Sequence, residues 1–302
     1  MTEDKTLTSV VDHLQELLEE AVSAAVEGEK EVGLIYSAGL DSTVLGYVAS
    51  KYAKVHAVNI GAEGSVDAQH AKEAEPKLPF VVEYKKITEE DVEEALPVIL
   101  HAIGEANPLK TAVAIPFYLA SETLAQKNIE TVLCGQGPDE LFGGYDRYLS
   151  IAANQGWHAL EEALDLDVQN LHDAQLKYDI AVTQAAGVNL KFPYVTQKFL
   201  QYASSLPADY KLREIQPNQE PPYACVDEIN GRRFIRKYVF RLLAERYNVP
   251  ENILNRRKKA AQYGSGSNQI IDRLARKHGF KKKAKDEGET RYMVLYLQSL
   301  LK

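Results

Sequence analysis

The chain is poor in sulfur: two cysteines, Cys134 and Cys225, and two methionines among 302 residues. Two cysteines supply neither a disulfide framework nor a metal quartet, and a reducing cytoplasm is the compartment that fits. No apolar run approaches the ~20 residues of a membrane span. The first residues, MTEDKTLTSV, lack the apolar centre of a signal peptide. Positive charge is in deficit, 35 Lys and Arg against 43 Asp and Glu, for a net charge of -8. That balance argues against nucleic acid as a default partner and leaves a local basic patch as the one route to a polyanion. No internal repeat is visible. Two nucleotide-binding patterns are missing as well: no Gly-Lys-Ser/Thr closes a Walker loop, and the glycine spacing of a dinucleotide fold is absent.

What is present is a good supply of core-forming residues. Hydrophobic side chains make up 45% of the chain, enough for one large domain or two smaller ones. The pattern divides near residue 150, into an α/β part over 1–150 and a mainly helical part over 151–302. Val32 to Tyr36 is a continuous apolar run, the mark of a short strand buried on both faces. Val55 to Ile60, Phe80 to Tyr84 and Thr131 to Leu133 read as further strands. Helical patterns lie between them, over Leu7–Val26, the segment after Ser42, Asp67–Glu75, a stretch capped by Thr88 with Glu89, Glu90 and Asp91 in its first turn, and Ala112–Ala125. Strands alternating with helices imply a parallel, doubly wound sheet, whose ligands bind beyond the carboxyl ends of the strands. After Tyr148 no strand pattern is clear; Leu160–Leu176, Phe199–Leu206, Phe234–Tyr247 and Ile270–His278 read as helices, and the proline-rich Gln216–Tyr223 as a loop or mobile lid.

Two segments follow strands and carry the chemistry. The first is Ser37-Ala38-Gly39-Leu40-Asp41-Ser42, a small-residue loop opening onto a helix N-terminus, where free N–H groups and the helix dipole favour an anion. An ordinary strand-to-helix turn with an Asp near its cap is the plain alternative. The second is Cys134-Gly135-Gln136-Gly137-Pro138-Asp139-Glu140-Leu141-Phe142-Gly143-Gly144-Tyr145. Its glycines let backbone approach a ligand, and its adjacent acids suit Mg²⁺ or an amine, although an isolated Asp-Glu pair is usually a solvated turn.

The first loop resembles the Ser-x-Gly-x-Asp-Ser pyrophosphate loop (PP-loop) of the ATP pyrophosphatases. The second resembles the Gly-(Glu/Asp)-Gly-x-Asp-Glu-Leu/Val-Phe-Gly-Gly-Tyr signature of glutamine-dependent asparagine synthetases, and is similar to that of β-lactam synthetase. Looser likenesses follow: Gly61 to Asp67, Asp179 with Ala185–Pro193 and Lys198–Leu200, Arg233–Tyr247 as the K-x-x-L-R helix, and Arg256-Arg257-Lys258 as an Arg-x-Lys before a glycine-containing loop, Gln262–Gly266. The resemblance implies an adenine-nucleotide alpha-hydrolase fold and an AMP-forming ligase using ATP and Mg²⁺. It implies pyrophosphate on Ser37, Gly39, Asp41 and Ser42, adenine against Leu34, Ile60 and Gly135, metal on Asp41 and Asp139, and charge neutralisation by Lys258. A carboxylate, aspartate in asparagine synthesis, would be adenylated and then attacked by ammonia.

Thr196 stands where the family usually has Asp, and three further departures bear on the chemistry. Thr2 follows Met1 where the family carries a glutaminase cysteine, so free ammonia or a separate glutaminase subunit is the expected nitrogen source. Gln136 stands where the family has an acid, and an amide cannot act as a general base. The segment before Pro116 offers Lys110 where an Arg is usual. Other readings stay open: adenylation of a tRNA base for thiolation or amination, with Arg276-Lys277-His278 and Lys281-Lys282-Lys283 as an RNA patch, or a non-catalytic nucleotide-binding homologue. A homodimer is compatible with the sequence.

Overall fold

The structure, a computed structural model, describes residues 2–61, 72–257 and 265–301. Most of the Gly61–Asp67 turn, most of the Asp67–Glu75 helix, Lys258 and most of the Gln262–Gly266 loop lie outside the described residues. Five strands form a parallel sheet: β1 (Glu31–Ile35), β2 (Lys54–Gly61), β3 (Val81–Lys86), β4 (Thr131–Leu133) and β5 (Asn189–Lys191), in the order β3-β2-β1-β4-β5. The chain winds one way from β1 through β2 to β3, then crosses back to β4. The strand order therefore reverses between β1 and β4, and the crevice at their carboxyl ends is where such sheets take ligands.

The helices that matter here are α1 (Thr2–Ala25), α2 (Leu40–Ala49), α3 (Glu89–Ile103), α4 (Pro108–Ala125), the single turn α5 (Pro138–Leu141), α6 (Asp146–Gln155), α7 (Trp157–Leu171), α8 (Lys177–Ala185), α9 (Gln197–Ser205), α10 (Tyr238–Arg246), α11 (Ser267–Lys277), α12 (Phe280–Asp286) and α13 (Tyr292–Leu300). They cover both faces of the sheet, and the strands sort their side chains between the two layers with period two. Val32, Leu34, Ala57 and Leu133 face one core with α1, α2, α9 and α10. Val58, Ile60, Val132 and Cys134 face the other with α3, α4, α8, α11 and α13. Gly33 of β1 has no room for a side chain, since a Cβ there would lie 2.6 Å from Leu124 of α4 and 2.9 Å from Val132. Thr88 caps α3 as expected, in a reciprocal capping box with Asp91. Among the described residues no helix is long and apolar enough to cross a membrane.

Two expectations need correction. Strands do occur after Tyr148: β5 joins the main sheet, and β6 (Leu212–Ile215), β7 (Asp227–Ile229) and β8 (Arg232–Arg236) form a small antiparallel sheet in the order β6-β8-β7. They escape a pattern search because they are three to five residues long and rich in charge. Phe234–Tyr247 is not one helix either. Its first residues belong to β8, and the chain turns at Lys237, whose φ of 56° is left-handed, before α10 begins. Sheet pairing overrides local helix propensity there.

An aromatic nest joins this C-terminal segment to the β4 loop. Phe142 stacks on Phe240 at 5.2 Å between centroids, and Phe199 and Tyr194 close the nest edge-on. All four rings are fully buried. We expect Phe142→Ala to destabilise the fold by about 3–5 kcal/mol, as large-to-small changes in tight cores do; a shift of the urea midpoint at unchanged slope would show it.

Candidate active site

The β1 loop is held by its own serine hydroxyls. Ala38 takes a left-handed φ of 55°, which costs strain that the loop's own hydrogen bonds offset. Ser42 Oγ lies 3.2 Å from Ser37 Oγ and accepts from Ser37 N at 3.3 Å, while Ser37 Oγ accepts from Gly39 N at 3.3 Å. Gly39 caps α2 in extended conformation without a side-chain cap, so the first turn of α2 presents N–H groups to a ligand. The β4 loop packs directly onto this one. A Cβ on Gly135 would stand 3.0 Å from Ser42 N and 3.2 Å from the Asp41 carbonyl carbon, so any side chain there would crowd the approach.

The acids of both loops meet on one cation. Lys237 Nζ lies 2.7 Å from each oxygen of Asp41 and 2.7 Å from Asp139 Oδ1. Lys237 and Asp139 are almost wholly buried, and Asp41 nearly so. Lys237 is held by its backbone, whose N–H donates to the Phe142 carbonyl and whose carbonyl accepts from Arg241 N. Beside it the guanidinium of Arg236 grips Asp227 and donates to the Gly144 carbonyl and to Asp146. Gly144 has no space to spare: a Cβ there would fall 1.9 Å from Asp139 Oδ1 and 2.5 Å from Lys237 Cε.

Lys237 is the residue that sequence reasoning missed. The Lys237-x-x-Phe240-Arg241 spacing could have marked it, but its left-handed turn out of a strand cannot be read from residue types. Its position also bears on a divalent metal. Among the described residues no group of three or more His, Cys, Asp and Glu is poised around a metal. Two converging carboxylates are nonetheless what Mg²⁺ usually takes from a protein when phosphates complete its shell. Asp41 and Asp139 fit that donor set, with the ammonium of Lys237 standing at their point of convergence.

Beyond the β4 loop lies a cavity of about 370 Å³ lined by α4, α5, the end of α7 and α8. Most of its charges are answered. Arg147 and the Tyr148 hydroxyl hold Asp167, and Lys110 pairs with Glu105 while lying 4.0 Å over the ring of Tyr178. Glu140 accepts from the Tyr145 hydroxyl at 2.6 Å, and burial, with the Asp139 charge adding to it, pushes its carboxyl up to about 7. Asp179 accepts from Gln136 Nε2 at 3.2 Å; burial pushes it up to about 8 against the pull of that hydrogen bond.

The other expected positions are distributed as follows. Leu34 is enclosed in the core toward Gly46 of α2, whereas its neighbour Ile35 lines a small cavity of about 40 Å³ with Tyr36, Ser37, Ile60 and Phe117. Arg256 donates to the Ser37 and Ala38 carbonyls, which brings the segment before Lys258 to the β1 loop. Cys134 is buried and its thiol pushed up by burial, the opposite of a reactive thiolate.

Two outcomes follow from this geometry. Gly144→Ala should part Lys237 from Asp139 and destabilise the fold, read as a lower urea midpoint. Glu140 holds its proton more tightly folded, at about 7, than at its ordinary 4.5. Its stabilising contribution is therefore complete below pH 4.5 and lost as pH rises through 7, on the order of 3 kcal/mol. Asp179 acts in the same direction up to about 8. Urea midpoints at pH 5 and pH 8 in EDTA should show this loss, and Glu140→Gln should reduce it.

The asparagine synthase family profile matches residues 13–155 and 150–300. A Methanocaldococcus jannaschii protein, provisionally named asparagine synthetase (glutamine-hydrolyzing) 1, is 36% identical over 297 residues, 94% of this chain and 55% of that protein. The asparagine synthetase (glutamine-hydrolyzing) of Zea mays is 27% identical over 271 residues, 85% of this chain and 43% of the relative. The chain thus spans about half the length of these relatives. Among solved structures, NMN synthetase from Francisella tularensis superposes with a TM-score of 0.45 at 13% identity, over 98% of this chain and 92% of that one. Matched along nearly its whole length, the chain belongs to the asparagine synthase family.

Proposed function

We propose that this chain is an ATP-dependent, AMP-forming carbon–nitrogen ligase that adenylates a carboxylate, aspartate by the family's example, and passes the acyl group to ammonia. The observation that carries this reading is the meeting of the β1 and β4 loops, with Asp41 and Asp139 on one cation at the switch point of the sheet. The pyrophosphate of ATP lies against Ser37, Gly39 and Ser42 at the α2 N-terminus. Adenine lies toward Ile60 and Gly135, with Ile35 in place of the enclosed Leu34. When bound, Mg²⁺ on Asp41 and Asp139 supplies charge neutralisation to the phosphates.

Lys237 then has two positions available to it. With no nucleotide it neutralises the two acids. With ATP and metal present, its ammonium moves onto a phosphate oxygen, and Lys258 adds a second positive charge. The substrate carboxylate attacks the α-phosphorus, pyrophosphate leaves, and the acyl group extends into the acid-lined cavity. Residues 1–150 supply both loops, and residues 151–302 supply Lys237, Asp179 and Lys258, so the second part completes the site.

Incubation with ATP, Mg²⁺, aspartate and ammonium should yield AMP, pyrophosphate and asparagine in equal amounts. Asp41→Asn and Asp139→Asn should each lower AMP formation by roughly a hundredfold or more. Release of ADP, or near-normal turnover by either variant, would overturn the reading. AMP formation that requires tRNA would replace the carboxylate with a base.

A further inference from the structure

Acyl transfer to a nitrogen nucleophile requires a group to take the proton that the nitrogen sheds, and the cavity offers four carboxyls for the task. Asp139 is neutralised by Lys237, Asp167 by Arg147 and the Tyr148 hydroxyl, and Glu140 is engaged by the Tyr145 hydroxyl. Asp179 differs from these: only 3% exposed, it lines the cavity, and its hydrogen-bond partner there is the side-chain amide of Gln136. We propose that Asp179, held in place by Gln136, is the proton acceptor of the acyl-transfer step. The assignment rests on the ligase reading of the site.

The step balances simply. The ammonia lone pair forms the C–N bond, Asp179 takes the proton the nitrogen then sheds, and the acyl C–O bond breaks with its pair leaving on AMP. Gln136 orients the acceptor by donating Nε2–H to Asp179 Oδ2, which leaves the other oxygen of Asp179 for the nucleophile. The groups around Asp179 do not compete for the proton. Lys110 of α4 is occupied by Glu105 and the Tyr178 ring, Glu140 of α5 by Tyr145, and Cys134 is a buried neutral thiol. Burial also suits Asp179 to the work. An ordinary aspartate near ~3.9 is a poor proton sink for an amine, whose conjugate acid lies closer to the lysine value of ~10.4. An aspartate raised to about 8 matches the nitrogen far better, and its ionised form, which alone accepts the proton, grows as pH rises toward 8.

The test separates the two half-reactions. ATP–pyrophosphate exchange reports adenylation, and amide or hydroxamate formation reports acyl transfer to ammonium or hydroxylamine. After attack, the nitrogen of a hydroxylamine adduct is more acidic than that of an ammonia adduct and gives its proton to water, so it has less need of a protein base. Asp179→Asn should retain exchange and hydroxamate formation but lose ammonium-dependent kcat about a hundredfold, with the remainder rising as pH is raised. The double variant Gln136→Glu with Asp179→Asn carries the acid to the other side of the hydrogen bond, and should recover at least about tenfold of the lost amide synthesis. Equal loss of amide and hydroxamate, or amide synthesis untouched in Asp179→Asn, would overturn the assignment. No pyrophosphate exchange in the unaltered protein with any carboxylate would instead overturn the ligase reading, and the proton acceptor with it.

Discussion

The site is organised by one buried ammonium shared between two carboxylates. Lys237 Nζ touches Asp41 from the β1 loop and Asp139 from the β4 loop, and it comes from the far half of the chain. Burying three charges is expensive, and their attraction offsets that cost only when the geometry is good and the remaining polar atoms are satisfied. The protein meets the condition with rigid supports. Phe142 N donates within the single turn of α5, the Phe142 carbonyl receives the Lys237 N–H, and Gly144 keeps the space that Asp139 and Lys237 occupy. Replacing the trio with apolar groups would suit stability alone.

The two adjacent acids of α5 show how one turn of helix divides its labour. Successive residues on a helix point about a quarter-turn apart, so Asp139 can reach Lys237 while Glu140 reaches Tyr145. Asp139 faces a full positive charge and Glu140 only a hydroxyl. The difference in partner separates an acid suited to a cation from one whose carboxyl burial pushes up to about 7. The β4 loop thereby turns one acid toward Lys237 and the other toward Tyr145, while Gly135 lies against the backbone of Ser42 and Gly144 against the side chains of Asp139 and Lys237.

Much of this was legible in the residues. The Val32–Tyr36 strand, the strands near Val55 and Thr131, the Thr88 cap and the parallel sheet follow from apolar runs and capping chemistry, which are local properties. Both loops announced themselves by composition. Lys237 did not, because its role depends on β8 turning abruptly into α10 through a left-handed residue, and that turn is set by pairing with β6 and β7 rather than by anything in the local sequence. Leu34 and Ile35 show a different limit. Strand alternation says that neighbours face opposite layers, but which layer holds the small cavity beside Ser37 is settled by the helices packed on each side.

Gln136 shows why the loss of an acid at one position need not be a loss of function. A carboxylate there would sit against Asp179, and two buried carboxylates in hydrogen-bond contact must share a proton, so that one is acid and the other base. With an amide at 136 the ambiguity disappears: Gln136 can only donate toward Asp179 through its NH₂ group, and Asp179 alone titrates. Asp179 rides on α8, which packs on α4 and leads directly into β5, an edge strand paired to β4. The position of its carboxyl relative to the β4 loop is therefore set by the sheet and two helices rather than by a loop. A rigid element is the better place for a group whose task depends on tenths of an ångström.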